Sequence, residues 1–329
     1  MKADLGTIAE RLKRAKKALV VGHVRPDGDA IGSAAGLALI LRELGVEAEA
    51  CIPDRIPRHY RAIPGTSFVK RVEELREREF DTVVVVDSSD ISRVGKAVSL
   101  FPKPHPDVVI DHHITNSGFG ELNFCDPSAA ATCLIIHELG KHLLPKGYSR
   151  EIAELLLLGI ATDTGFFRYA DVDERVFAAA AELSRYGARI RPIAEALLEN
   201  RTLNTVRLLS EMFRTLVLEE EGKIAYAYLS EGAFRRCGCE EDEAEGFISE
   251  IMSLRSVEVG ALLIEWPKGE IHVSLRSKGR VNVSEIALAF GGGGHPRAAG
   301  CTLKGIPVEE ALELVAARLR EGLKRSVGT

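Results

Sequence analysis

Asp107-Val108-Val109-Ile110-Asp111-His112-His113 is a run of β-branched residues that ends abruptly in an acid and two imidazoles. Short apolar runs of this type, bounded by turn signals, read as buried strands of a parallel sheet. In open α/β sheets ligands sit beyond the carboxyl ends of the strands. Asp111, His112 and His113 therefore stand where such a fold carries its chemistry. Two earlier runs end in the same way. Residues 18–22 lead into His23, followed by Asp27 and Asp29, and residues 82–86 lead into Asp87. Three strands that deliver acids and imidazoles at one end predict a single metal site.

The chain has 329 residues, enough for two domains with sizeable cores. Its 46% hydrophobic and 28% charged content is that of a globular protein. The net charge of −5 argues against coating long nucleic acid by charge alone, yet leaves room for a small anionic substrate held by metals and a few arginines. The six cysteines include no CxxC pair; Cys237-Gly238-Cys239 is the nearest spacing and a weak metal signal. Free thiols in a reducing cytosol are the simpler reading. Residues 1–17 lack the apolar core of a signal peptide, and the run at 155–160 is too short to span a bilayer. A cytoplasmic protein with no membrane contact is expected.

Between the strand ends, residues 5–17 show helical spacing. His23 to Asp29 forms a turn around Pro26 and Gly28, a helix covers 31–44 up to Gly45, and a second strand covers 46–52. Helices are expected at 127–143, 150–160 and 173–186, and a connector rather than another layer at 187–203. The rest reads as a smaller α/β domain. It has a strand at 223–229, a helix at 241–254, a hairpin of 257–266 and 270–276 around Pro267-Lys268-Gly269, a short helix at 283–290, a strand near 300–303 and a terminal helix at 308–323. The expected architecture is thus a mainly parallel N-terminal sheet flanked by helices over 1–187, a linker at 188–205 and a second α/β domain at 206–329.

The H-x₃-D-x-D spacing of His23, Asp27 and Asp29 has a physical purpose. Alternate acids on a tight loop can face two neighbouring ions while the imidazole caps one of them. Carboxylates with one imidazole per ion suit Mn²⁺, and Mg²⁺ less well. Two ions need a bridging carboxylate, and Asp87 is the natural candidate. Taken singly, each piece has a bland alternative: a strand-end Asp caps a turn, and so could Asp163. His59, His105, His137 and His142 lack acidic motifs at strand ends and read as surface or packing residues. Four consecutive glycines, 291–294, precede His295-Pro296-Arg297. They form either an anion-binding nest of backbone N–H groups or a flexible turn before a strand.

HVRPDGDAIGS at 23–33, VVVVDSSD at 83–90, DHH at 111–113 and ATDTGFF at 161–167 resemble the ordered motifs of the DHH phosphoesterase superfamily. GGGGHPRAAG at 291–300 resembles the signature of its DHH-associated C-terminal domain. Length and spacing are most similar to the nanoRNase group, oligoribonucleases that also remove the 3′-phosphate of phosphoadenosine phosphate (pAp). The resemblance implies one Mn²⁺ on His23, Asp27 and Asp87 and a second on Asp29, Asp87, His112 and Asp163. It implies that His113 contacts the scissile phosphate as general acid and that Asp111 orients an imidazole, although a backbone cap would also suit that strand end. It further implies a C-terminal domain that clamps substrate across an active-site cleft between the domains. Arg276 and His295 would make the clamp, with Arg297 nearby and Gly293 and Gly294 as backbone donors.

The partners expected are short RNA oligonucleotides and nucleotide bisphosphates rather than long duplexes, and a homodimer is compatible with the sequence. Competing readings are a phosphodiesterase for pApA or cyclic-di-AMP, an exonuclease resembling RecJ, and a non-catalytic nucleotide-binding protein. Intact candidate ligands at every metal position weigh against the last.

Overall fold

The N-terminal strands at 18–21, 82–86 and 108–110 are near-continuous apolar runs because their sheet is buried on both faces. In a computed structural model describing residues 1–169, 172–266 and 269–327, the chain divides into two units, Met1–Asn200 and Arg201–Thr329. The first contains α1 (Leu5–Lys13), β1 (Lys17–Val21), α2 (Gly28–Glu43), β2 (Glu47–Cys51), β3 (Val69–Lys70), α3 (Val72–Leu75), β4 (Thr82–Val86), β5 (Val108–Asp111) and β6 (Leu122–Cys125). Four helices follow: α4 (Thr132–Leu143), α5 (Arg150–Asp163), α6 (Glu174–Arg185) and α7 (Ile190–Leu198). All six strands are parallel, in the order β3-β2-β1-β4-β5-β6. The order reverses between β1 and β4, the point at which doubly wound sheets bind their ligands. His23 follows β1 and Asp87 follows β4, so the two residues flank that point.

Alternate strand residues feed two cores. Ala18, Val20, Val84, Val86, Val108 and Ile110 pack with α2, α4 and α5 in the larger one. Leu19, Val21, Val83, Val85 and Val109 pack with α3 and the segment Ile91–Leu100 in the smaller. Three helices differ from their expected extents. The helix expected from residue 31 starts at Gly28, because the Asp27 carboxylate caps the Asp29 and Ala30 N–H groups. The helix expected from 127 starts at Thr132, because its first N–H groups are bound by a carboxylate from elsewhere in the fold. The stretch expected to be a connector holds α7, whose Ile193 is buried in the larger core.

The second unit contains α8 (Leu203–Arg214), β7 (Val217–Glu219), β8 (Ile224–Leu229), α9 (Glu231–Cys237), α10 (Phe247–Met252), β9 (Val259–Trp266) and β10 (Glu270–Ser277). It continues with α11 (Val283–Ala289), β11 (Gly293–His295), β12 (Ala298–Lys304) and α12 (Val308–Val327). Its strands lie in the order β11-β12-β10-β9-β8-β7, antiparallel except for the β8–β9 pair. The expected hairpin is β9–β10; Pro267 and Lys268 of its turn lie outside the described residues. The helix expected over 241–254 is broken at Gly246, whose φ of 79° is left-handed, and only Phe247–Met252 forms an α-helix. No helix among the described residues is long and apolar enough to cross a membrane.

The contact between α2 and α5 is set by glycine. Gly28, Gly32 and Gly36 recur every four residues on α2, on one helix face. A Cβ at Gly28 would meet Thr162, one at Gly32 would strike the Leu155 carbonyl, and one at Gly36 would press on Leu156. Helix propensity favours alanine over glycine by about 1 kcal/mol. Overpacking against a backbone oxygen costs about 1–3 kcal/mol. Packing therefore outweighs propensity, and Gly32→Ala should lower the melting temperature by about 3 °C or more. A thermal melt followed by circular dichroism checks this; a rise in melting temperature would show that propensity dominates.

Candidate metal centre

Asp87 is the residue on which the site converges. It lies at the end of β4 with φ 54°, a left-handed conformation that costs energy for a residue with a Cβ, and its side chain is buried. Its two oxygens face different imidazoles. Oδ2 lies 3.4 Å from His23 Nε2. Oδ1 lies 3.6 Å from His112 Nε2 and 3.7 Å from His113 Nδ1. Asp27 Oδ2 is 3.7 Å from His23 Nε2, while Asp163 Oδ2 and Asp29 Oδ2 are 3.2 and 4.0 Å from His112 Nε2. Two ligand sets result, His23–Asp27–Asp87 and Asp29–Asp87–His112, each with its ligand atoms within 4.8 Å of one another. Asp163, on the last turn of α5, stands beside the second set. All six residues singled out as metal ligands in the sequence are gathered here.

Surrounding groups orient these ligands. His23 Nδ1 lies 2.7 Å from the Val24 carbonyl and His112 Nδ1 lies 3.0 Å from the Ala129 carbonyl, so in each ring Nε2 is the nitrogen that faces the carboxylates. Asp29 accepts the Thr132 N–H at 2.6 Å and the Cys133 N–H at 2.8 Å, which are the first amides of α4. The carboxylate thus satisfies orphan donors of a helix 103 residues away. The Thr132 hydroxyl donates to Asp87 Oδ1 at 3.0 Å. Asp111 accepts from His113 Nδ1 at 2.7 Å and from the Asn116 amide at 2.7 Å. Arg93 places its guanidinium 3.1 Å from His23 Nδ1. Thr132, Asn116 and Arg93 escape the sequence reading; only proximity to the DHH and VVVVDSSD motifs marks Asn116 and Arg93, and nothing local marks Thr132. His137, read as a packing residue, is buried and bonded to Tyr148 and Glu182.

The charges are frustrated without cations. Burial raises the Asp29 carboxyl well above the usual range, and the neighbouring Asp87 and Asp163 charges add to it. Burial likewise pushes Asp163 up to about 6. Burial also opposes charge on the imidazoles, but Asp27 and Asp87 outweigh it and lift His23 to about 10, while Asp163, Asp87 and Asp29 raise His112. Against its own burial, Asp87 is held far below the carboxylate range by the His23, His113 and His112 rings. The donor set of oxygens and imidazole nitrogens without a thiolate fits Mn²⁺ or Mg²⁺, and four ligand carboxylates match the charge of two divalent ions.

The other predicted residues lie in the second unit. Arg276 is the penultimate residue of β10, and Gly293, Gly294 and His295 form the edge strand β11. The tract thus begins as a turn, with Gly291 left-handed at φ 74°, and passes into strand at Gly293 and Gly294. A Cβ at Gly292 would strike the Gly300 carbonyl and one at Gly294 would press on Ala298 and Ala299, whereas Gly293 has open space. Close strand pairing thus accounts for Gly292 and Gly294. Arg297 follows, its guanidinium beside Gly279.

A doubly wound parallel sheet that gathers carboxylates and imidazoles at its switch point suits a metal-dependent hydrolase. The DHH family N-terminal domain matches residues 17–160 and the DHHA1 domain matches residues 221–321. The chain is 38% identical to the bifunctional oligoribonuclease and PAP phosphatase NrnA of Thermus thermophilus, over 97% of this chain and 94% of that one. It is 29% identical to the protein of that name in Bacillus subtilis, over 85% and 87%. An exopolyphosphatase-related protein of Bacteroides fragilis shares the fold with a TM-score of 0.88, 24% identity and 98% and 97% coverage. The chain belongs to the DHH family of phosphoesterases.

An imidazole whose folded pKa is raised stabilises the fold below about pH 6.5 and loses that contribution as pH rises through its folded value, about 10 for His23. The metal-free protein should therefore lose melting temperature between about pH 7 and pH 10, and saturating Mn²⁺ should flatten the slope. Melts with and without chelator test this. Mn²⁺ binding near pH 7 should also release protons, read as a binding enthalpy that varies with the ionisation enthalpy of the buffer. A metal-free melting temperature that rises with pH, or no proton release, would contradict the charge arrangement.

Proposed function

We propose that this protein is a hydrolase that degrades short oligoribonucleotides to mononucleotides and removes the 3′-phosphate of pAp, using two Mn²⁺ ions. The observation that carries the reading is the Asp87 carboxylate, whose Oδ2 and Oδ1 face His23 and His112, the arrangement of a ligand shared by two ions. His23, Asp27 and Asp87 would hold one ion, and Asp29, Asp87, His112 and Asp163 the other. When bound, the ions lower the pKa of the attacking water and neutralise charge on the phosphoryl oxygens. The names of the relatives from Thermus thermophilus and Bacillus subtilis support the choice of substrates.

The protein's own residues supply the remaining chemistry. His113 is about one-fifth exposed, with Nδ1 held by the buried Asp111. With Nδ1 held by Asp111, Nε2 is the nitrogen we assign to carry the proton given to the departing oxygen, and the Asp111 charge would stabilise the imidazolium. Asn116 holds the other Asp111 oxygen and so fixes the ring plane. In the second unit we assign substrate phosphates to Arg276, His295 and Arg297 and to the amides of Gly293 and Gly294. Nucleotide substrates and six free thiols suit the cytoplasm.

The test is hydrolysis in Mn²⁺ of an RNA trinucleotide, pAp, pApA and pyrophosphate side by side. Turnover of the trinucleotide and pAp is expected, with Asp87→Ala abolishing both. His113→Asn should lower kcat by about 10²–10⁴-fold while metal binding is retained. Turnover of pyrophosphate alone, or nucleotide binding with no turnover, would overturn the reading.

A further inference from the structure

The C-terminal sheet is covered unevenly. One face packs on α11 and α12, while on the other α8, α9 and α10 pack over β8 and β9. Along β10, Ile271, Val273 and Leu275 are buried in the first core, and the alternate residues His272, Ser274 and Arg276 are half-buried on the opposite face. The register carries this face onto β12, where Thr302, Gly300 and Ala298 stand opposite His272, Ser274 and Arg276. It continues onto β11, where His295 pairs with Ala298. At the far end of the row Trp266 stands opposite Glu270. Its indole stacks on the His272 imidazole, with ring centroids 4.3 Å apart and planes inclined by 22°.

We propose that the Trp266–His272 stack is a platform for a nucleobase of an oligoribonucleotide, one nucleotide beyond the phosphate assigned to Arg276. The proposal rests on the oligoribonuclease reading and deepens it. Aromatic faces stack bases with little regard to sequence, and a cation on the same surface tracks the backbone between them. The two rings already hold each other in place, so little side-chain freedom is lost when a third ring joins the stack. His272 and Arg276 lie four positions apart on β10, a span of roughly 13 Å at a rise of roughly 3.3 Å per residue. The base of a mononucleotide anchored at Arg276 stops short of the indole, whereas the base of the next nucleotide reaches it. The platform therefore reads length: it engages RNA of two or more nucleotides, and pAp gains little from it.

Trp266 is the single tryptophan of the chain, so its emission reports on the platform directly. In the full-length protein with EDTA, which stops metal-dependent turnover, an RNA trinucleotide should quench this emission saturably, and pAp should quench it far less. In Mn²⁺, Trp266→Leu and His272→Ala should each raise the ratio of the trinucleotide KM to the pAp KM about tenfold, with kcat little moved. Trp266→Phe should restore most of the preference. Equal quenching by both ligands, or an unchanged KM ratio in both variants, would overturn the proposal. Should Trp266→Leu fail to fold, the emission of the unaltered chain and the His272→Ala kinetics decide. Absence of hydrolysis of every substrate by the unaltered protein would instead count against the function, and the quenching still tests the stack.

Discussion

Like charges buried together in a medium of low polarity must find compensation, and in this protein that constraint centres on Asp87. Its carboxylate is enclosed with those of Asp29, Asp111 and, at one remove, Asp27 and Asp163. Each is answered by a specific group: imidazoles for Asp87 and Asp163, His23 and the first amides of α2 for Asp27, the first amides of α4 for Asp29, and His113 with Asn116 for Asp111. These partners orient the carboxylates but do not cancel them, since imidazoles carry charge only when protonated. Divalent cations held by these carboxylates would resolve the repulsion and turn it into affinity.

The helical layer beneath the site serves the same end. Gly28, Gly32 and Gly36 let α2 approach α5 closely. Gly159 of α5 leaves no room for a side chain either, because a Cβ there would run into Cys133 and Asp29. The helix that supplies Asp29 and the helix that supplies Asp163 are thus pressed together where the two carboxylates face His112. Packing here is a positional device as much as a source of stability: a ligand cage tolerates little displacement, and interdigitated backbones transmit little slack.

The two units use their sheets differently. The parallel sheet is covered on both faces and offers only its carboxyl ends, so the candidate ligands lie beyond β1, β4 and β5, at the start of α2 and at the end of α5. The mixed sheet of the second unit carries alternating half-buried polar and aromatic residues along β10. A surface of that type suits an extended, charged and flexible ligand, because it presents hydrogen-bonding groups and rings in a row at regular spacing.

Much of this was legible in the sequence. The runs ending at His23, Asp87 and Asp111 read as parallel strands because burial on both faces forces an unbroken β-branched pattern. His23, Asp27, Asp29 and Asp87 stand out by their spacing at strand ends, whereas the full ligand set with His112 and Asp163 rests on the resemblance of the DHH and ATDTG motifs to the family. Local patterns failed where a partner comes from far along the chain. The start of α4 at Thr132 depends on Asp29 as a remote acceptor, and no residue beside Ala131 signals it. The helix at Ile190–Leu198 looks like a connector because its amphipathic stripe acquires meaning only against the first core. What the sequence by itself determined is the order of the strands in the chain and the chemistry at their ends, since both follow from short-range periodicity. What only the tertiary structure decided is which oxygen faces which nitrogen, because that depends on helices packed through glycine and on hydrogen bonds closed across a hundred residues.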